Sequence, residues 1–132
     1  MAEMFDVKVI TPDRVFYEGQ VSMVEMKTSE GEIGVYKNHI PMTCILEPGI
    51  LRLYEAESEK QAAVHAGFVE ILQDHVTVLA EIAEWPQEID KNRAQEAKIR
   101  AERRLSSSDP EINIARAEIA LRKANVRLSL AK

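Results

Sequence analysis

The chain has 132 residues, 45% of them hydrophobic, enough for one ordinary domain or a small one with an extension, and too apolar for a disordered polymer. Aromatics make up only 5%, so a core must be mostly aliphatic, and no apolar run approaches the roughly 20 residues that span a bilayer. The net charge of −5 is unevenly divided: residues 1–84 carry 6 Lys and Arg against 15 Asp and Glu, whereas residues 85–132 carry 11 against 7. An acidic half and a basic half either attract each other or leave the basic half seeking an acidic partner. Nucleic acid is a poor candidate for that partner, because acids interrupt the basic half and Trp85 is its one base-stacking side chain. The N-terminus lacks the basic and apolar regions of a signal peptide. Cys44 is alone, so no internal disulfide is expected, in keeping with a reducing cytoplasm.

Met4 to Ile10 alternates in the manner of a half-buried strand, and Thr11-Pro12-Asp13 turns the chain. Val15-Phe16-Tyr17 follows, with Gly19 read as a second break. Between Gln20 and Thr28 the apolar parity shifts from Val21 and Met23 to Val24 and Met26, which predicts a bulge or a strand buried on both faces. Further strands are expected at Ile33–Val35, Met42–Leu46, Ile50–Tyr54, Ala62–His65, Phe68–Leu72 and Val76–Ala80. Glu47-Pro48-Gly49, a polar Glu55–Lys60 loop, Gly67 and Gln73-Asp74 separate them. Many short strands with Gly and Pro turns predict a sandwich or barrel. Strands first and helices after predict an α+β fold.

The joint lies at Glu84 to Ala94. Pro86 resists a helix and biases Trp85 to an extended backbone, while Asp90 is placed as an N-cap. This divides the chain into residues 1–84 and 85–132. Beyond it, Ala94, Ala97, Ala101 and Leu105 fall on one helical face. Ser106-Ser107-Ser108 interrupts. Asp109, as N-cap, with Pro110 at the first helical position, predicts a second helix of about 21 residues. Its heptad seam is Ile114, Ala117, Leu121, Ala124 and Leu128, widened by Ile112, Ala115, Ile119 and Val126. Two amphipathic helices with a short break predict an antiparallel hairpin. A seam so rich in Ala buries little apolar surface, so the pair could open while each helix persists. A permanently docked hairpin is the competing reading.

Thr11-Pro12-Asp13 with Tyr17-Glu18-Gly19, Gly31-Glu32-Ile33-Gly34, His39-Ile40-Pro41, Gly67-Phe68-Val69-Glu70 and Ile89-Asp90-Lys91-Asn92-Arg93-Ala94 occur in this order. In that order and spacing they resemble the ε subunit of bacterial F-type ATP synthase over essentially the whole chain. The resemblance implies a ten-stranded β-sandwich followed by a two-helix hairpin. It implies a non-catalytic place in the rotating central stalk, on the cytoplasmic face of the cell membrane, in a complex driven by a proton or sodium gradient. The expected partners are the γ subunit and the ring of c subunits, with Glu32 and His39 near that contact. A turn-capping role for His39 is the local alternative. The extended hairpin is expected to enter the α/β catalytic ring and inhibit ATP hydrolysis.

The basic face of the helices invites a nucleotide. Guanidinium groups suit phosphate oxygens and carboxylates suit ribose or adenine donors; the plainer reading is a solvated charged face. The resemblance places Ile89, Asp90, Arg93 and Ala94 on a nucleotide-binding pattern, with Glu84, Arg100 and Arg127 as further contacts. Lys123 stands where ATP-binding relatives can carry Arg. There is no Walker-type glycine loop, so ATP would be a regulatory ligand. A nucleotide-sensing module is the alternative function. His65 and His75 are read as strand or turn residues, and no acid–base or metal constellation marks an enzyme.

Overall fold

In a computed structural model the chain is described over residues 3–131. Eight strands are followed by a short 3₁₀ turn and two helices: β1 (Phe5–Thr11), β2 (Arg14–Val21), β3 (Met23–Thr28), β4 (Gly31–Val35), β5 (Met42–Ile45), β6 (Gly49–Tyr54), β7 (Glu59–Ile71), β8 (His75–Glu84), α1 (Lys91–Ser106) and α2 (Ile114–Leu130). The strands run β2-β1-β8-β7-β6-β3-β4, with β5 also on β7. β1 and β8 pair in parallel, and the other pairs are antiparallel. The hydrogen-bonded path folds over a core of Phe5, Val7, Val9, Val21, Val24, Leu51, Leu53, Val69, Ile71, Val76 and Val78, giving the expected sandwich with a helical hairpin after it.

Eight strands form, against ten expected, and a kink joins two of the runs read as separate strands into one. Ala66 and Gly67 both have positive φ, 58° and 122°, yet β7 runs through them, pairing its first half with β6 and its second with β5. Gly67 was read as a separator and is instead a bend within one strand. A Cβ there would lie 2.0 Å from the Leu79 carbonyl oxygen, so only glycine lets β8 come this close. The kink also reverses the buried parity. Val69 and Ile71 enter the core after it, Ala62 and Val64 before it. Ala63 and His65 therefore emerge on the opposite face of β7.

Two other local expectations are corrected. Gly19 does not break β2; the Tyr17 ring folds over it, and a Cβ would meet the Tyr17 hydroxyl at 2.7 Å. The parity shift near Ser22 is neither a bulge nor a doubly buried strand. It is a corner, where the chain leaves β1 for β4 and β6 and the Ser22 N–H donates to the Tyr54 carbonyl at 2.8 Å.

After β8, Trp85 stacks on Phe16, centroids 4.2 Å apart and planes 19° apart, and meets Tyr17 edge-on. Arg14 donates to both Glu88 carboxylate oxygens at 2.9 Å, and Glu88 also accepts from the Trp85 N–H at 2.8 Å. The entry to the helices is thus pinned to β2. Asp90 caps α1 by accepting from the Arg93 N–H at 3.1 Å.

The second helix begins four residues later than the sequence predicts and is 17 residues long. Asp109 accepts from the Glu111 N–H at 2.9 Å and closes a local turn, and Asn113 is the true cap, accepting from the Arg116 N–H at 3.0 Å. An Asx side chain satisfied two residues on competes with capping a helix. The seam buries Ala94 and Ala101 against Ala117 and Ala124. The widening set divides: Val126 packs toward the body, whereas Ala115 and Ile119 are exposed.

Candidate functional site

Packing of α2 on the sandwich brings the two charge halves into register. Ile89, Ala63 and Leu130 form a small apolar patch, flanked by Ile50, Val126 and Ala131. Two ion pairs border it. Arg127 Nε donates to Glu84 Oε1 at 2.7 Å, with both side chains about three-quarters buried, and the more exposed Arg122 reaches Glu47 at 3.4 Å. The attraction between acidic and basic halves is therefore realised within the chain.

Beside this latch lies an open cleft of about 260 Å³ lined by Glu84, Glu88, Asp90, Arg93, Ala94, Ala97, Arg100 and Arg127. Its walls come from the end of β8, the joint, α1 and α2, so it exists only while the hairpin is folded on the body. Six of the seven residues singled out from the sequence line it. The seventh, Ile89, lies buried beside it in the apolar patch. Glu88 and Ala97 were not anticipated. Glu88 is held by Arg14; Ala97 is one helical turn from Ala94 and, with it, leaves α1 without bulk along the cleft.

Arg93 and Arg100 have no ion-pair partner among the described residues. They stand ready for an anion, while Arg127 is committed to Glu84. Asp90 spends one oxygen on its cap. The imidazole of His65, with help from Arg127, holds the Glu84 carboxyl below the usual carboxylate range against the opposing effect of burial. Sequence reading placed His65 in a strand, as found, but did not see its position: fully buried, Nε2 3.6 Å from Glu84 Oε1.

Glu32 and His39 lie elsewhere. Glu32 is exposed on β4, paired in register with Lys27 of β3. His39 is half-buried in the loop before β5, its Nδ1 2.7 Å from the Ile40 carbonyl. The exposed Tyr36, Ile40 and Met42 surround it in sequence.

A β-sandwich body carrying a two-helix hairpin, with a charged cleft between them and no helix long and apolar enough to cross a membrane among the described residues, defines a two-part α+β class of protein. Comparison with known proteins makes this specific. Residues 4–86 match the model of the ATP synthase delta/epsilon chain β-sandwich domain, and residues 87–132 match that of its long α-helix domain. The chain is 48% identical over 126 residues to the ATP synthase epsilon chain of Halalkalibacterium halodurans, covering 95% of each. It is also 48% identical over 126 residues to that of Shouchella clausii, covering 96% of this chain and 93% of the relative. Among solved structures, a chain of the Euglena gracilis mitochondrial ATP synthase OSCP/F1/c-ring assembly superposes with a TM-score of 0.82 at 26% identity, over 96% of this chain and 79% of that one. A chain of the Tetrahymena thermophila central stalk and c-ring shares the fold, with a TM-score of 0.57 at 14% identity over 96% of this chain and 92% of that one. The chain belongs to the ε-subunit family of F-type ATP synthases, the delta/epsilon chains of the central stalk.

Proposed function

We propose that this chain couples γ to the c-ring through its sandwich and restrains ATP hydrolysis through its hairpin, with ATP as the ligand that keeps the hairpin folded. One observation carries the nucleotide reading: Arg93, Arg100, Asp90, Glu84 and Arg127 meet in a cleft that the folded hairpin creates. A ligand bound there favours the folded state by its differential affinity, since the unfolded arm has no such cleft. At about 260 Å³, the cleft is below the roughly 300–1,000 Å³ of most small-molecule pockets. In this reading the nucleoside lies against Ala94 and Ala97 and the phosphates extend to the unpaired guanidinium groups. The cleft offers no nucleophile or glycine-loop cradle, so ATP acts as a signal.

The brake reading is supported by the weak attachment of the hairpin. Four buried alanines form most of the helix–helix seam and three buried residues the patch on the body. Released, the cationic arm is free to meet acidic surface of the α/β ring. Glu32, His39 and the exposed apolar residues around His39 form the proposed contact with γ and the c-ring, which would hold the subunit peripherally at the cytoplasmic face of the membrane. Two experiments test these readings. Equilibrium ATP binding to the full chain should weaken at least tenfold in Arg93→Ala, equivalent to about 1.4 kcal/mol; no binding at millimolar ATP sinks the nucleotide reading. Deleting residues 89–132 should leave assembly intact and raise hydrolysis by the reconstituted complex; unchanged hydrolysis sinks the brake.

A further inference from the structure

His65 is the one described residue whose buried side-chain nitrogens have no hydrogen-bond partner: both Nδ1 and Nε2 are orphaned. Its place explains this. Ala63 and His65 leave β7 on the face away from the sandwich core, and Ala63 packs against Leu130 and Ile89. On β8, Glu84 and Ile82 stand opposite Ala63 and His65. α2 covers this face, so the hairpin itself completes the burial of the imidazole.

We propose that His65 is a positioning residue for Glu84 and a proton-operated release for the hairpin: protonated, it detaches α2 from the body and draws the Glu84 carboxylate away from Arg127. The contact of 3.6 Å to Glu84 Oε1 is too long for a hydrogen bond and short enough to become one when the ring gains a proton. Glu84 Oε1 is also the oxygen that Arg127 Nε uses, so the two donors compete for it. The charged groups facing His65 are Glu84 from β8 and Arg127 and Lys123 from α2. Arg93 and Arg100 of α1 line the neighbouring cleft, which His65 does not, and β6 places its Arg52 opposite Gln61, farther along β7. A cation at His65 therefore meets one acid and a predominance of positive charge. Burial foremost, and then Arg127 and Lys123 against the pull of Glu84, lower the pKa of the ring from its ordinary value.

The sign is fixed by exposure. An open hairpin leaves His65 in water, titrating near its ordinary value of about 6.5. The closed form resists protonation, so closure is fully favourable above that value and is lost as pH falls below it. The latch does not depend on nucleotide. That ATP would bind more weakly at low pH is a corollary resting on the nucleotide reading.

The test uses the full chain with Cys44→Ser and spin labels at Glu57→Cys in the β6–β7 loop and Glu118→Cys on α2. Between pH 8 and pH 5.5, a range in which an ordinary carboxyl stays mostly ionised, the open-to-closed ratio should rise by up to about tenfold, since pH 5.5 lies about one unit below the open-state histidine value. His65→Gln should remain closed throughout. An identical pH profile in His65→Gln, or a wild-type hairpin still closed at pH 5.5, overturns the proposal. A histidine NMR titration of the unsubstituted chain reads the same point without a variant. The His65 ring should titrate below about 6.5 while the hairpin is closed; titration as a solvated histidine refutes it. Absence of ATP binding at pH 8, with the pH-driven opening intact, removes the nucleotide reading and leaves the latch standing.

Discussion

Arg127 and Glu84 join the last turn of the hairpin to the last strand of the body, Nε to Oε1 at 2.7 Å. Both are largely withdrawn from solvent, unlike Arg122 and Glu47, so this pair is screened less and counts for more. Arg127→Ala should destabilise closure by about 1.5–3 kcal/mol, raising the open population by an order of magnitude or more. The body should be unaffected, with its denaturation midpoint unchanged. Arg122→Ala should cost less than about 1 kcal/mol, and equal effects of the two would contradict this ranking.

Closure should also show a second, more acidic step. The Glu84 carboxyl is held down by its neighbour His65 on the body and by Arg127 of the arm; opening takes Arg127 away, so the carboxylate favours closure above its open-state value. That contribution fades as pH falls through the lowered closed-state value. His65→Gln should therefore remove the step near neutrality and retain one below about pH 4.5. Label distances followed to pH 3 would separate them.

Gly67→Ala should be among the most damaging single substitutions in the body. It combines a φ of 122° with a Cβ 2.0 Å from the Leu79 carbonyl oxygen. Strain of that kind costs about 1–3 kcal/mol before the clash is relieved. Gly31→Ala is the informative control: its φ is 114° but open space surrounds the added carbon, so the smaller loss isolates the backbone term. Urea denaturation of both variants measures the difference.

Trp85, the only tryptophan, packs on Phe16 and Tyr17 of the body. Its fluorescence should stay nearly constant when the hairpin opens and shift red only when the sandwich unfolds. Emission that follows the label distance would place Trp85 with the arm instead.

Much of this architecture is written locally. The Asp90 cap and the Ala94–Ala101 face set α1, and the alternating apolar runs set the strands. Where reading failed, two local signals conflicted. Asp109-Pro110 has the form of a helix start, but Asp109 accepts from the Glu111 N–H and Asn113 takes the cap. Gly19 and Gly67 look like punctuation, but one makes room for a ring and the other for a carbonyl across the sheet. The cleft residues near Asp90 were legible as a motif. His65 was not, because its partners Glu84 and Arg127 are 19 and 62 positions away. Its faint signal was the run Ala62-Ala63-Val64-His65, too apolar on both parities for a strand with one wet face, which marks a second covering layer.

The most direct test follows the Glu57–Glu118 label distance in the full chain at pH 8 during an ATP titration. The account predicts a saturable shift to the short, closed distance in wild type and a titration displaced at least tenfold in Arg93→Ala. A distance distribution unchanged up to millimolar ATP, with a measurable open population at the start, would contradict it.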